Sequence, residues 1–282
     1  MSKIVVLLST YNGEKYLREQ IDSILNQTGS KDISIFVRDD GSTDNTVNIL
    51  QEYRNKGLLN FYCGKNIGFV RSFFDLLFNA PNADFYAFAD QDDYWLPNKI
   101  EFGISKIKNF NKPALFCHKK KIVDEKLNYI GFDDISPKKD ILYNFLFHNA
   151  VSGCTILFNK KLYDKLILYS KLIETCKNKF LFHDELIYKT ALFLGEVIYS
   201  KEELMLYRQH FDNCIGSRKE KNFLLKPDFA TFGGEKKASK SDFYSLRNHF
   251  LMPQKCIIFC RLKIITLLNL LSFSLISNLL SL

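Results

Sequence analysis

Apolar runs of strand length alternate with stretches of helical period through the first hundred residues. Lys3 to Leu8 (KIVVLL) is an unbroken apolar run, the pattern of a strand buried on both faces. It enters a polar turn, Ser9 to Gly13, and then Glu14 to Leu25, where Leu17, Ile21, Ile24 and Leu25 recur at helical spacing. Ser34 to Val37 repeats the strand signal, followed by the loop Arg38 to Asp44. The carboxylate of Asp44 can cap a helix running to about Tyr53. Leu58 to Cys63 reads as a third strand, leading through Lys65-Asn66-Ile67-Gly68 into a Phe-rich helix over Phe69 to Phe78. The fourth strand, Asp84 to Ala89, ends in Asp90-Gln91-Asp92-Asp93, with Pro97 in the first turn of the helix beyond. Four alternating β and α units predict a parallel, doubly wound sheet with all four loops at one edge, where open α/β sheets bind ligands.

Later segments are less regular. Asn98 to Phe110 has helical period; Ala114 to Cys117 and Lys121 to Val123 read as two strands, with a turn and return at Asn128 to Gly131. Lys119, Lys120 and Lys121 read as a solvated face. A short helix is expected over Asp140 to Phe147. A strand from Ser152-Gly153-Cys154-Thr155 to Phe158 follows, then helices over Lys160 to Tyr169 and from His183 to Leu194. Strands at Val197 to Ser200 and Leu204 to Tyr207 complete the pattern. Residues 217–242 are charged, Gly-containing and without period, as in a linker or mobile loop. Residues 243–282 read as a helical extension. Its last part, Ile264 to Leu282, carries no charge and follows Arg261 and Lys263. That length suits a membrane span, while its Ser and Asn residues equally suit a helix lying on a membrane surface or packed in a core.

At 282 residues and 46% hydrophobic content the chain can bury a sizeable core. Seven Cys without a C-x-x-C pair argue against a zinc ribbon or a thioredoxin-like motif and for a reducing, cytoplasmic setting. The net charge of +8 suits an anionic membrane surface or phosphorylated substrates; no nucleic-acid-binding motif is visible.

The carboxylates Asp90, Asp92 and Asp93 repel one another unless a cation or proton intervenes, and oxygen donors suit Mg²⁺ or Mn²⁺; a solvated acidic turn is the plainer alternative. His210 follows the last strand, where a lone histidine is usually structural, and Asp184 stands at a helix start, where a carboxylate can cap.

Four ordered stretches resemble the family-2 glycosyltransferases of GT-A fold. They are Leu8 to Gly13, Arg38 to Asp44, Asn66-Ile67-Gly68-Phe69 with Arg71, and Asp90-Gln91-Asp92-Asp93 with Trp95 to Lys99. Further on, Gly153-Cys154-Thr155, His183-Asp184, and Leu206 to His210 with Asn213 and Gly216 resemble a rhamnosyltransferase-like subset. Glu185 departs from the tryptophan common there. The resemblance implies a Rossmann-like, mostly parallel sheet flanked by helices. It places the transferase domain at 1–216, with a nucleotide half at about 1–100 and an acceptor half at about 101–216.

By that resemblance Thr10, Tyr11, Asn12, Asp39, Gly68, Arg71 and Asp90 would bind the nucleotide, and Asp40 would bind it or support its loop. Asp92, Asp90 and His210 would hold Mg²⁺ or Mn²⁺. Asp184 would be the catalytic base of an inverting transfer, with Glu185 and Asp93 in reserve. The donor would be a UDP- or dTDP-linked sugar, dTDP-rhamnose among them. The acceptor would be a glycan or lipid-linked oligosaccharide of a capsule, lipopolysaccharide or similar polymer, met at the inner face of the cytoplasmic membrane. Two alternatives are a nucleotidyltransferase, which would need a Gly- and Lys-containing loop not seen after the first strand, and a non-catalytic nucleotide-sugar or glycan-binding module.

Overall fold

Ile4 to Leu8 are completely buried, as an unbroken apolar run requires of a strand covered on both faces. They form β1 (Ile4–Thr10), with β2 (Ile33–Asp39) on one side and β4 (Phe85–Ala89) on the other, both parallel to it; β3 (Leu59–Cys63) extends the sheet beyond β2. The crossovers carry α1 (Leu17–Leu25), α2 (Thr46–Asn55) and α3 (Phe69–Phe78). Parallel pairing brings the loops after β1, β2, β3 and β4 to one sheet edge, as the alternation predicts. The computed structural model describes residues 2–29, 32–133, 151–168, 182–211 and 213. The helix expected over 140–147, the linker at 217–242 and the extension at 243–282 lie outside the described residues.

Beyond β4 the sheet becomes mixed. The remaining elements are β5 (Tyr94–Trp95), α4 (Lys99–Ile107), β6 (Ala114–Val123), β7 (Tyr129–Phe132), β8 (Leu157–Asn159), α5 (Lys160–Leu168), α6 (His183–Leu194) and β9 (Glu196–Arg208). The strand order is β3-β2-β1-β4-β8-β6-β9-β5, with β7 on β6. The fold is α/β, with the parallel half as expected. Two expectations need correction: the segments at 114–117 and 121–123 are one strand, and so are those at 197–200 and 204–207. These two long strands pair in parallel, but the register shifts between His118 and Lys119 and again between Lys119 and Lys121. The extra residues at these shifts lie in β9, where they break the two-residue alternation and make one strand look like two; in β6 the alternation is intact across its lysines.

The pairing of β9 with β5 matters most for function. Tyr94 lies opposite Leu206 and Trp95 opposite Met205, so the chain after β9 returns beside the chain before β5. Residues 208–210 thereby meet residues 90–93 across more than a hundred positions of sequence.

Candidate active site

The first two loops are tied together by their own polar groups. Asp39, fully buried, accepts from the Thr10 hydroxyl (2.9 Å), the Ser42 hydroxyl (2.5 Å) and the amides of Gly41 and Ser42. Asn12 accepts from the Thr43 amide at 2.8 Å, and its own amide donates to Ser42. Asp40 accepts from the amides of Ile67 and Gly68 and pairs with Arg38 at 2.5 Å, bracing the second loop against the third. Arg38 also holds Asp75 at 2.8 Å and is itself buried, so it acts as a strut. Gly68 sits at the start of α3 with φ of 83°, a conformation that L side chains rarely adopt. Tyr11 and Arg71 are exposed at this edge.

Gln91 joins the first loop to the fourth. Its side chain accepts from the Tyr11 amide (2.8 Å) and donates to the Tyr11 carbonyl (3.0 Å), a two-point clip that the sequence did not reveal. The carboxylates on either side of it separate into two groups. Asp92 faces His210, whose Nε2 lies 2.8 Å from Asp92 Oδ2, and Asn213 donates to the same oxygen at 3.2 Å. Asp90 and Asp93 turn inward, toward the thiol of Cys154. Burial, then the charge of Asp92, push Asp90 up to about 7 and Asp93 well above the carboxylate range.

Arg208 fixes the strand end that brings His210 in. It is almost fully buried, and its guanidinium donates to the carbonyls of Asp92 (2.9 Å) and Glu125 (2.6 Å) and to Glu19 (2.5 Å), while lying over the Tyr16 ring. Its backbone amide donates to Asp93 at 3.2 Å. Of the three metal ligands expected, Asp92 and His210 are thus brought into contact, and Asp90 points to a deeper group.

Two lysines flank the buried carboxylates. The reading of residues 119–121 as a solvated face is wrong at its centre. Lys120 is buried, donates to Ser152 at 2.9 Å, meets Asp133 at 3.5 Å and lies over Tyr207, and its charge favours ionisation of Asp90 and Asp93. Lys119 and Lys121 point the other way, toward Glu203. Lys99, also buried, covers the Trp95 ring at 3.8 Å and donates to the Cys154 carbonyl at 2.5 Å; burial lowers it to about 7.

The remaining wall comes from the short 3-10 turn Gly153–Thr155 and the start of α6. A Cβ on Gly153 would lie 2.6 Å from Nε2 of His183, so only glycine allows this approach. His183 stacks on Phe73 at 4.3 Å and is held neutral by burial, near 3. Its neighbour Asp184 is half-buried, accepts from the Glu185 amide at 2.7 Å, and lies near enough to Asp90 to raise that group's pKa. Glu185 instead faces inward and pairs with Lys189 at 2.5 Å.

The looped ends of the parallel half-sheet thus stand beside the Asp92–His210 contact and the half-buried carboxylate of Asp184. The profile of "Glycosyl transferase family 2" matches residues 5–167. The dTDP-rhamnosyl transferase RfbG of Shigella flexneri is 32% identical over 74% of this chain and 74% of its own length. An uncharacterized glycosyltransferase of Rickettsia typhi is 29% identical, covering 73% of this chain and 64% of that protein. The S. aureus TarS fragment 1-349 in complex with UDP has the same fold, with a TM-score of 0.55 at 22% identity; the match covers 73% of this chain and 60% of the fragment. The chain belongs to glycosyl transferase family 2 and is a glycosyltransferase, related to transferases that use nucleotide sugars.

Proposed function

We propose that the protein is an inverting, metal-dependent transferase that moves a sugar from a UDP- or dTDP-linked donor, with dTDP-rhamnose the first candidate, to a glycan or lipid-linked acceptor of a surface polysaccharide. The contact that carries this reading is the one between Asp92 and His210, 2.8 Å apart at the mouth of the loops. A carboxylate oxygen and an imidazole nitrogen facing each other fit Mg²⁺ or Mn²⁺, and Asn213 donates to that same carboxylate oxygen. When bound, the cation supplies Lewis-acid neutralisation of a departing diphosphate.

The chain's own residues do the rest. Thr10, Tyr11, Asn12, Asp39, Gly68 and Arg71 form the nucleotide wall; the cross-linked carboxylates of Asp39 and Asp40 hold its loops in one shape, so binding orders little. Asp90 meets the ribose or the cation. Asp184 accepts the proton of the acceptor hydroxyl as the new glycosidic bond forms and the bond to the diphosphate breaks, which inverts the anomeric centre. Glu185 is the weaker choice for base because Lys189 already holds it.

The relative that uses dTDP-rhamnose favours that donor. A panel of nucleotide sugars assayed for slow hydrolysis with Mn²⁺ tests it: dTDP-rhamnose is expected to turn over fastest, and a preference for another donor moves the assignment to that sugar. The anionic membrane face is supported by the net charge of +8 and by the uncharged stretch from 264 to 282. Removing that stretch is expected to release the protein from anionic vesicles while donor hydrolysis persists. Hydrolysis lost together with the tail would assign it to the fold instead. Among the described residues no helix is long and apolar enough to cross a membrane.

A further inference from the structure

Behind the Asp92 and His210 pair lies a second set of ligand atoms that the transfer chemistry does not use as a set. One carboxylate oxygen each from Asp90 and Asp93 and the sulfur of Cys154 lie within 4.8 Å of one another. Asp93 is fully buried, and its Oδ2 has no hydrogen-bond partner. A buried carboxylate oxygen left unpaired is costly, and either a proton or a cation must answer it. Cys154 is equally enclosed. The turn that carries it is held from two sides, by Lys99 on the Cys154 carbonyl and by the Thr155 amide on Ser152.

We propose that Asp90, Asp93 and Cys154 form a binding site for a thiophilic divalent cation such as Zn²⁺ or Cd²⁺, separate from the outer Asp92 and His210 pair. The donor set decides the class of metal. A thiolate beside two carboxylates selects Zn²⁺ or Cd²⁺ over Mg²⁺ and Mn²⁺, which favour all-oxygen or oxygen and imidazole sets. Three ligand atoms at this spacing need only modest side-chain rotation to reach the roughly 3.5 Å separations of a tetrahedral zinc site. Water supplies the fourth ligand, as is common where the protein gives three. Binding exchanges the thiol proton, and any carboxyl proton, for the cation, and those protons leave to solvent. Lys99 and Lys120 then face an anionic cluster that the dication largely neutralises. Entry is by way of Asp90, the half-buried member of the three. A cation here would also engage Asp90, so on the proposed transferase reading it would inhibit donor use.

The test is binding, which needs no turnover and so stands apart from the transferase assignment. The full chain is titrated with Cd²⁺ while the ultraviolet thiolate-to-metal charge-transfer band is followed, in the wild type, Cys154→Ser, Asp93→Asn and Asp92→Asn. Subtracting the Cys154→Ser titration removes the contribution of the other cysteines. The expected result is a saturating difference band that survives in Asp92→Asn and binds at least about tenfold more weakly in Asp93→Asn. Identical titrations of the wild type and a folded Cys154→Ser would overturn the site, and so would loss of the band in Asp92→Asn. If Cys154→Ser does not fold, Asp93→Asn keeps the thiol and carries the comparison: unchanged Cd²⁺ affinity there refutes the proposal.

Discussion

Replacing Asp184 with Asn is expected to lower the transfer rate by on the order of a hundredfold or more while leaving donor affinity close to the wild-type value. The substitution keeps size and a hydrogen-bonding oxygen but removes the capacity to take a proton. A carboxylate that serves only as a helix cap behaves differently. Asn caps about as well as Asp, so a capping role predicts little change in rate or melting temperature. Asp184 stands inside the first turn of α6, whose N-cap is Phe182 with no side-chain cap bond. Asp184 Oδ1 accepts from the next amide, at 2.7 Å, and an Asn carbonyl can accept the same bond. Transfer rate, donor affinity and melting temperature measured on one variant therefore separate the roles, with Glu185→Gln as the companion. Glu185 is tied to Lys189, so its loss is expected to appear first in stability. Near-wild-type transfer by Asp184→Asn would refute the assignment, and a collapse confined to Glu185→Gln would move the base to that residue.

The parallel half of the sheet was legible because each strand there is a local, continuous apolar run. Ile4 to Leu8 and Phe85 to Ala89 are buried at every position, and the polar residues that follow each run must lie at the same edge. What the sequence hid depends on distant pairing. Arg208 and the Asp92 carbonyl are 116 positions apart, and nothing local in Tyr207-Arg208-Gln209 marks the arginine as a buried strut. Gln91 looks like a spacer between acids until the Tyr11 backbone is brought beside it. Lys120 could have been found. Extending the strand through Cys117 to Val123 places Lys119 and Lys121 on one face and Lys120 on the other, with Ile122 beyond it on the same buried side. Three adjacent lysines suggested solvent instead, although the alternation across them is intact.

Asp92→Ala is expected to weaken binding of UDP or dTDP by at least about tenfold and to reduce transfer a hundredfold or more, on the scale of losing an electrostatic stabiliser of the leaving group. Removing divalent cations with EDTA should weaken nucleotide binding to the same extent in the wild type, and should do nothing further to Asp92→Ala. His210→Ala supplies the decisive comparison. Both described hydrogen bonds to the Asp92 carboxylate, from His210 and from Asn213, fall on its Oδ2, so the pair is held together even without a cation. If Asp92 and His210 act through one shared cation, removing either already removes its contribution. The double variant then binds nucleotide scarcely more weakly than the worse single variant. If each touches the nucleotide separately, the two losses add. Titration calorimetry with Mn²⁺ present and absent reads all four proteins. Affinities that ignore the cation would end the metal role for this pair. Additive losses that persist in EDTA would make Asp92 and His210 direct phosphate or ribose contacts instead.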